Sequence, residues 1–327
     1  MSFLQRLWPS RNGKDTVSTR PDFHVTLWPS LDFPHFRRFA QDKRIQGIRL
    51  NSAMMEASEI NGYFVKEMNT AQVPLWFDIK AMQLRVREVV CDHTCDHLEF
   101  VLNRPIKVKT PCPVWFKAGE DCGKCIEIKD GTHFIFEGGP NYEVREGESI
   151  HIRNPELEVG GEVFLDYELE KIAKVVSMGF DQFYLSYVWD QKHVDAFREV
   201  VGHEAELVLK IENKWGLEWV ARDYRPQPHT HLAAARGDLY IEIDYAHEIM
   251  RACKLIIETD PTAFVGSRML LSMVDQSVPK CADFSDLAWL YDIGYRNFLL
   301  CDELCLKRDL LGRAVNAFDA FRSNYTV

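Results

Sequence analysis

Charged and polar residues recur at the carboxyl ends of short apolar runs in this sequence. Lys210 and Glu212 close one such run, and their spacing of two on a strand places both side chains on the same face. Asp238 lies at the end of the next run, in the segment ARGDL. Hard divalent cations take one or two carboxylates and leave their other positions to water and substrate oxygens. Glu212 and Asp238 are therefore the predicted ligands of Mg²⁺ or Mn²⁺, with Lys210 beside the metal to stabilise charge on an enolate or a transferring phosphoryl group.

Other residues at these positions suit an anionic substrate. Arg49 has the planar set of donors that clamps a phosphate, and Gly237 lets a ligand carboxylate approach the backbone closely. Further polar groups at the ends of runs are Asn51, Asp78, Lys80, Arg236 and Ser267. Taken one at a time, such charges are more often members of a salt-bridge ring than catalytic groups. Their convergence from five runs favours an active site.

Eight β-rich runs must position these residues, and amphipathic helical stretches separate most of them. The runs begin at His24, Ile45, Val73, Gln182, Ala205, His231, Thr262 and Tyr295, and the sixth extends over 231–239. This alternation is typical of βα units that form a parallel sheet. The sequence therefore predicts an α/β fold, a (β/α)8 TIM barrel, whose catalytic face lies at the carboxyl ends of the strands.

The connection after the third run is the exception to this alternation. It carries many short strands and turn residues but no long helical pattern, and CIEIKDGTHFIFEGGP predicts a β-hairpin with an Asp-Gly turn. We therefore predict a first part of the barrel over 1–86, an inserted small β lid domain over 87–155, and a second part of the barrel over 156–327. The length of 327 residues allows one barrel of about 250 residues and such an insert.

Composition narrows the choice of partners and of cellular location. The net charge of −10 argues against a nucleic-acid or anionic-membrane surface and favours a small-molecule substrate. No apolar run approaches the roughly 18 residues of a membrane span, and the first residues, MSFLQRLWPSRNGK, do not resemble a signal peptide. We therefore expect a soluble cytoplasmic protein, and the sequence is compatible with a homo-oligomer.

The cysteines allow two interpretations. Nine cysteines is an odd number without a regular framework, so reduced thiols are expected. Within the insert, however, CDHTCDH and CGKC supply Cys91, Cys95, Cys122 and Cys125, which are candidate ligands of a structural zinc ion. Small β domains also use cysteine as apolar filler. The sequence leaves both possibilities open.

The motifs, in their order along the chain, resemble those of pyruvate kinase. LKIENKWGLE is similar to the lysine–isoleucine–glutamate–asparagine segment of that family, and AAARGDLYIEI to its alanine–arginine–glycine–aspartate–leucine segment. LLCDELC resembles the serine–glycine–glutamate of the last strand. Weaker similarities are HVTLWPSLD, IRLN, FDIKAMQLR and GSRMLLSM. The resemblance covers roughly residues 24 to 316 apart from the insert, and KIEN followed by ARGDL is its most specific part.

This resemblance implies roles for individual residues. Lys210 would stabilise the transition state, and Glu212 and Asp238 would bind Mg²⁺. The implied catalytic set is Lys210, Arg49, Ser267, Lys80 and Arg85. The implied substrate contacts are Arg49, Arg236, Gly237, Asp238 and Ser267. Thr26, Pro29 and Asn51 would lie near the nucleotide, ADP or ATP.

Departures from the family pattern affect the cation and nucleotide sites. Asn51 and Asp78 are retained beside Ala53 and Ile79, where the family has a serine and a threonine, so no K⁺ site is expected. Met54 replaces the usual histidine after the second strand, which weakens the nucleotide side. The chain ends where the regulatory domain of the family begins, so allosteric control of the family type is expected to be absent.

The leading hypothesis is a pyruvate kinase-like phosphotransferase that acts on phosphoenolpyruvate or a related enol phosphate or 2-oxoacid, with Mg²⁺ and ADP or ATP. A second hypothesis is a nucleotide-independent, metal-dependent 2-oxoacid lyase, aldolase or hydrolase. A third is a non-catalytic oxoacid-binding protein on the same barrel, since a fold does not determine function.

Overall fold

The computed structural model describes residues 20–28, 32–92 and 97–325. The strands are β1 (Asp22–Thr26), β2 (Gly47–Asn51), β3 (Leu75–Lys80), β4 (Val86–Cys91), β5 (Glu99–Leu102), β6 (Ile106–Lys107), β7 (Cys112–Phe116), β8 (Asp121–Lys129), β9 (His133–Glu137), β10 (Glu158–Val159), β11 (Gln182–Ser186), β12 (Glu206–Ile211), β13 (Thr230–Ala235), β14 (Phe264–Gly266) and β15 (Asn297–Leu299).

Helices follow most of the barrel strands. They are α1 (Phe33–Phe39), α2 (Gly62–Met68), α3 (Asp166–Ser177), α4 (Gln191–Val201), α5 (Lys214–Arg222), α6 (Arg236–Glu242), α7 (Ile249–Thr259), α8 (Cys281–Asp292), α9 (Asp302–Cys305) and α10 (Arg308–Asn324). No helix in the described ranges is long and apolar enough to cross a membrane.

Eight parallel strands close into a barrel. Its order is β1, β2, β3, β11, β12, β13, β14 and β15, and β15 pairs with β1 to complete the ring. Each predicted β-rich run overlaps one of these strands, so the predicted (β/α)8 barrel is confirmed. The parallel arrangement brings all eight carboxyl ends to one face.

Alternate residues of each strand point into the barrel or out towards the helices. The outward set belongs to the main core, in which Ile79 and Leu209 are fully buried. The inward set includes Trp76 and Val208, which belong to a separate cluster at the barrel axis. Gly47 leaves room for the ring of His24, because a Cβ at Gly47 would lie 2.5 Å from that ring.

Helix α5 shows how local sequence fixes the backbone near the site. Asn213 is its N-cap and accepts the Gly216 N–H at 2.8 Å. Gly216 allows the helix to approach the preceding βα unit, because a Cβ there would lie 2.5 Å from the Val188 carbonyl oxygen. Trp219 then packs into the core, so the helix is anchored directly behind the end of β12.

The insert after β3 folds around its own core. Five antiparallel strands are arranged in the order β4, β5, β9, β8 and β7, while β6 pairs with β10. Phe100, Phe116, Phe134 and Phe136 form the centre of the second hydrophobic cluster. The predicted hairpin is present between β8 and β9, and Asp130 and Gly131 both have positive φ in its turn, as such turns favour.

The sixth predicted run was too long. Strand β13 ends at Ala235, which pairs with Gly266, the last residue of β14. Because no neighbouring strand continues beyond that pair, the chain turns into helix α6 at Arg236. Arg236 and Asp238 therefore lie in the first turn of a helix rather than at the end of a strand.

Candidate functional site

A cavity of about 330 Å³ opens at the carboxyl ends of the barrel strands. Barrel residues that line it include Arg49, Asn51, Lys80, Lys210, Glu212 and Asp238. The insert and its first connection contribute Gln83, Arg85, Glu120 and Ser149. The insert therefore covers the face where catalysis is expected in such barrels.

Asp78 lies at the centre of the charged groups below the cavity and is fully buried. Its Oδ2 atom is 2.6 Å from the Arg49 guanidinium, 3.0 Å from Nζ of Lys80 and 3.4 Å from Nζ of Lys210. Burial alone would raise the pKa of Asp78, but the charges of Lys210, Lys80 and Arg49 outweigh it and lower the pKa strongly. Asp78 therefore stays ionised and holds three cations together.

Lys80 and Lys210 differ although both contact Asp78. Burial lowers the pKa of Lys80 to about 8, and Asp78 offsets this only in part. For Lys210, burial also favours the neutral form, but Asp78 and Glu212 outweigh it and raise the pKa. Ser186 accepts a hydrogen bond from Lys210 at 2.9 Å and donates to Oδ1 of Asp78 at 2.7 Å. Lys210 is therefore a fixed positive charge at the cavity wall.

Glu212 is held from two sides. Its Oε1 atom is 2.8 Å from Nζ of Lys210, and its Oε2 atom accepts the Tyr187 N–H at 2.7 Å. Tyr187 has a φ of 55°, a left-handed conformation that is costly for such a residue and often found at functional sites. This backbone conformation accompanies the N–H contact to the carboxylate.

The pair of Glu212 and Asp238 suits a divalent cation. Burial raises the pKa of Glu212, and the charge of Asp238 raises it further, against the effect of Lys210. A cation between the two carboxylates would remove this penalty, and both line the cavity. Within the described ranges, no three His, Cys, Asp or Glu side chains are already grouped as a metal-binding set. Water and substrate oxygens would therefore be needed to complete the coordination of Mg²⁺.

Arg49 is more heavily engaged than a free phosphate clamp. It donates to Asp78, to Thr26 at 3.0 Å and to Asp302 at 2.6 Å. Asn51 donates to the other oxygen of Asp302 at 3.1 Å. Sequence reasoning missed Asp302. The available signal was the segment LLCDELC, in which Asp302 stands where the resemblance has a glycine.

The loop after β14 forms part of the cavity wall. Ser267 and Arg268 both have positive φ and line the cavity. Gly237 faces Ser267 closely, because a Cβ at Gly237 would lie 3.3 Å from the Ser267 hydroxyl oxygen. Arg268, which sequence reasoning did not select, lies over the ring of Tyr240 with its guanidinium carbon 4.6 Å from the ring centre. Ser267 and Gly237 are therefore brought to the cavity as the sequence predicted.

Arg236 has a different position from the one expected of a substrate contact. Its two terminal nitrogens donate to the carboxylate of Asp286 on α8 at 2.7 and 2.8 Å, and one also donates to the Ser267 carbonyl at 2.9 Å. Arg236 is not among the residues that line the cavity. Its visible role is to fix the loop that carries Ser267.

The predicted nucleotide contacts are only partly present at the cavity. Thr26 is fully buried and accepts a hydrogen bond from Arg49, while Asn51 lines the cavity beside Asp302. Pro29 lies outside the described residues. Both oxygens of Asp78 accept hydrogen bonds from protein donors, Arg49 and Ser186.

A histidine from the insert reaches the edge of the site, and sequence reasoning missed it. His151 is fully buried, with Nδ1 2.6 Å from Oε1 of Glu242 and Nε2 3.5 Å from Oδ1 of Asp238. Burial alone would lower its pKa, but Glu242, Asp238 and Glu212 outweigh it and raise the pKa. The insert therefore contacts Asp238, one of the two candidate metal ligands.

The structure does not bring Cys122 and Cys125, two of the four candidate zinc ligands, together. Cys125 is buried in the core of the insert and Cys122 is exposed, because a spacing of three along β8 places them on opposite faces. Cys91 is disulfide-bonded, which corrects the expectation that all thiols are reduced and removes its thiolate as a ligand. Cys95 lies outside the described residues. A single zinc ion cannot reach both Cys122 and Cys125 in this arrangement.

The fold and the site define a class: a (β/α)8 barrel with a buried charged cluster and a cavity beneath an inserted β domain. The chain matches no protein-family model. It is 24% identical over 228 residues to the pyruvate kinase of Mycobacterium intracellulare, which covers 65% of this chain and 45% of that protein.

Two further relatives carry the same name. Over 169 residues the chain is 25% identical to a pyruvate kinase of Mycobacterium tuberculosis, covering 50% of this chain and 34% of that protein. Over 124 residues it is 33% identical to the pyruvate kinase of Agrobacterium vitis, covering 36% and 25%. The chain spans less than half the length of these relatives. It is a barrel protein that resembles pyruvate kinases over part of its length.

Proposed function

We propose that the chain catalyses metal-assisted phosphoryl transfer between an enol phosphate, such as phosphoenolpyruvate, and a nucleotide. The observation that supports this most is the contact of Lys210 with Glu212, at 2.8 Å, in a cavity that Asp238 also lines. A buried cation beside a pair of carboxylates is the arrangement that phosphoryl transfer requires for electrostatic stabilisation.

The reaction forms and breaks one bond to phosphorus. The phosphoryl group leaves the enol oxygen and bonds to the terminal phosphate oxygen of ADP, and the enolate then takes a proton at its methylene carbon to give pyruvate. Mg²⁺ held by Glu212 and Asp238 would supply Lewis-acid stabilisation of the oxygen charges. Lys210 would stabilise the enolate oxygen.

The surrounding residues keep Lys210 in position. Asp78 and Ser186 hold its ammonium group from below, at 3.4 and 2.9 Å, so it does not have to reorganise as charge develops. Arg85 and Ser149 belong to the cover of the cavity and would limit access of water to the enolate. Ser267 supplies a hydroxyl on the wall formed by the loop after β14, where it would contact the substrate.

The test is pyruvate release from phosphoenolpyruvate with ADP and Mg²⁺, coupled to lactate dehydrogenase, with and without K⁺. Turnover is expected without K⁺ and should fall about 10²–10³-fold in Lys210→Met, the range seen when one transition-state donor is removed. Lys192→Met changes an exposed lysine of α4 and should have no effect. Full turnover in Lys210→Met would contradict the proposal.

One observation favours a second function, a nucleotide-independent 2-oxoacid enzyme. Arg49 already binds Asp302 at 2.6 Å, so a substrate phosphate would have to displace a carboxylate from its best donor. A 2-oxoacid has no phosphate group, so its binding would not require Asp302 to leave Arg49. If the coupled assay shows no turnover, this function predicts exchange of the methyl protons of pyruvate in D₂O with Mg²⁺ and no nucleotide. Absence of that exchange would exclude it.

A further inference from the structure

Arg268 lines the cavity and makes little use of its hydrogen-bond donors within the protein. In the part of the chain that the structure describes, it forms no ion pair, and its Nη2 atom makes a long contact of 3.5 Å with the Gly237 carbonyl oxygen. Its Nε atom is buried and has no hydrogen-bond partner. Because a guanidinium carries five N–H donors, Arg268 retains most of its capacity to bind an anion.

The other cations of the cavity are more fully engaged. Three of them contact the carboxylate of Asp78, namely Arg49, Lys80 and Lys210. Both terminal nitrogens of Arg85 donate to protein oxygens near the insert. Among the described cations that line the cavity, Arg268 therefore has the most donors left for a ligand.

The backbone and a neighbouring ring fix the position of Arg268. Ser267 and Arg268 have φ values of 66° and 62°, a left-handed conformation that is costly for such residues and is kept most often at functional sites. The guanidinium carbon lies 4.6 Å from the ring centre of Tyr240 in α6. A guanidinium held in this way presents two parallel donors to a carboxylate and loses little freedom when it binds one.

Two anionic groups of the proposed substrate already have positions elsewhere in the cavity. The phosphoryl group would lie at Lys210 and at the metal held by Glu212 and Asp238, and the first carboxylate would accept backbone N–H groups at Gly237. Arg268 approaches the carbonyl oxygen of Gly237 and not its N–H. A further anionic group of the substrate is therefore needed to pair with this guanidinium.

We propose that Arg268 binds a second carboxylate of the substrate, so that the site selects 2-oxo diacids, or their enol phosphates, over monoacids such as pyruvate. This inference rests on the proposed function for the positions of the phosphoryl group and the first carboxylate. A carboxylate matches the guanidinium because it accepts two parallel N–H bonds. A methyl group at the same place would leave the guanidinium unpaired, and this difference gives the selectivity.

Matched pairs of 2-oxoacids test this inference, because the members of each pair differ by a carboxylate in place of a methyl group. The pairs are oxaloacetate with 2-oxobutyrate and 2-oxoglutarate with 2-oxopentanoate, and their binding is followed by ligand NMR with Mg²⁺ and no nucleotide. We expect the wild type to bind at least one diacid about 10–100-fold more tightly than its monoacid, the range for a hydrogen-bonded contact between charged groups. In Arg268→Gln this ratio should fall to within about 3-fold of equal binding, with little change in the affinity for the monoacid.

The control is a matched change of an exposed arginine. Arg251→Gln alters the solvent-exposed side of α7 and should keep the wild-type ratio. If Arg268→Gln does not fold, Arg268→Lys keeps the charge but loses the planar pair of donors, so its ratio should lie between that of the wild type and equal binding. A wild-type ratio in whichever of these two variants folds would overturn the inference, as would equal affinities for both pairs in the wild type.

Two other roles for Arg268 give different results in the same titrations. If Arg268 only supports the loop after β14, Arg268→Gln would weaken the binding of diacid and monoacid equally. If Arg268 binds a phosphate of the nucleotide, Arg268→Gln would weaken ADP binding and leave the ratio of diacid to monoacid unchanged. Either result would overturn the inference.

Failure of the proposed function would be visible separately, because these titrations need neither nucleotide nor turnover. A preference for diacids that depends on Arg268, in a protein that does not transfer phosphate, would remove the proposed reaction and leave the selectivity intact. Conversely, turnover of phosphoenolpyruvate without any preference for diacids would support the proposed reaction and overturn the role of Arg268.

Discussion

Two layers of side chains fill the barrel, and the same strands contribute to both. In the lower layer, Trp76, Tyr184 and Val208 meet at the barrel axis. Two residues further along each strand, the upper layer has Asp78, Ser186 and Lys210 in their place. The spacing of two keeps both sets pointing inward, so one step along the strands changes the interior from apolar to charged.

The two layers shift the pKa of a buried basic group in opposite directions. His24 lies among the rings of the lower layer, whose ring centres are 5.2 to 6.2 Å from its own, and burial lowers its pKa to about 3. Lys210 is just as buried, but Asp78 and Glu212 raise its pKa. Burial by itself neutralises a group, whereas burial with a paired opposite charge preserves it. The lower layer therefore provides apolar packing, and the upper layer keeps its acidic and basic groups ionised.

The largest expected loss of stability comes from removing the Asp78 carboxylate of the upper layer. Asp78→Asn leaves Arg49, Lys80 and Lys210 without their shared carboxylate, and removing one partner of a buried ion pair costs about 3–5 kcal/mol. Urea unfolding at neutral pH measures this loss. Asp195→Asn, on the exposed side of α4, is the control and should change stability by less than about 0.5 kcal/mol. Equal stability of the two variants would show that Asp78 does not hold the upper layer together.

A smaller loss of folding stability should come from the lower layer, through His24, as the pH falls. Because the pKa of His24 is about 3 in the folded protein and 6.5 in its unperturbed state, the unfolded chain binds more protons between these values. This contribution to stability is complete above about pH 6.5 and is lost as the pH falls towards 3, by up to about 1.4 kcal/mol per pH unit.

Urea unfolding of wild type and His24→Gln at several pH values from 7 to 4 isolates the contribution of His24 to stability. The variant should lose less stability per pH unit than the wild type, because it has no group to protonate there. If stability falls equally with pH in both proteins, burial does not lower the pKa of His24 in the folded protein.

The smallest loss of stability should come from removing a polar contact in the lower layer. The Tyr184 hydroxyl is 2.8 Å from Nδ1 of His24, and Tyr184→Phe removes it without changing the packing of the ring. The expected loss is about 1–2 kcal/mol, the cost of leaving one buried acceptor or donor unpaired. Turnover of the proposed reaction should stay within about 2-fold, since the cavity lies in the layer above. A large loss of turnover with little loss of stability would show that the two layers are functionally coupled.

Much of the architecture follows from local patterns. The eight barrel strands overlap the eight β-rich runs, and the Asp-Gly turn produces its hairpin, because periodicity and turn chemistry act over a few residues. The placement of Lys210 and Glu212 side by side at the cavity also follows from strand spacing. The pattern failed for the segment ARGDL, where the end of β14 rather than the sequence of β13 stops the strand.

Local sequence patterns therefore specify the barrel, the insert and the residue types of the polar ring at the strand ends. The pairing of these groups depends on the folded arrangement: Arg49 pairs with Asp302, Arg236 with Asp286, and His151 with Glu242. These partners are separated by 253, 50 and 91 residues along the chain. No local pattern relates such positions, because the closure of the barrel and the docking of the insert bring them together. Cys122 and Cys125 are a different case, because their spacing in the sequence resembles a metal site but the alternation of side chains along β8 turns them to opposite faces.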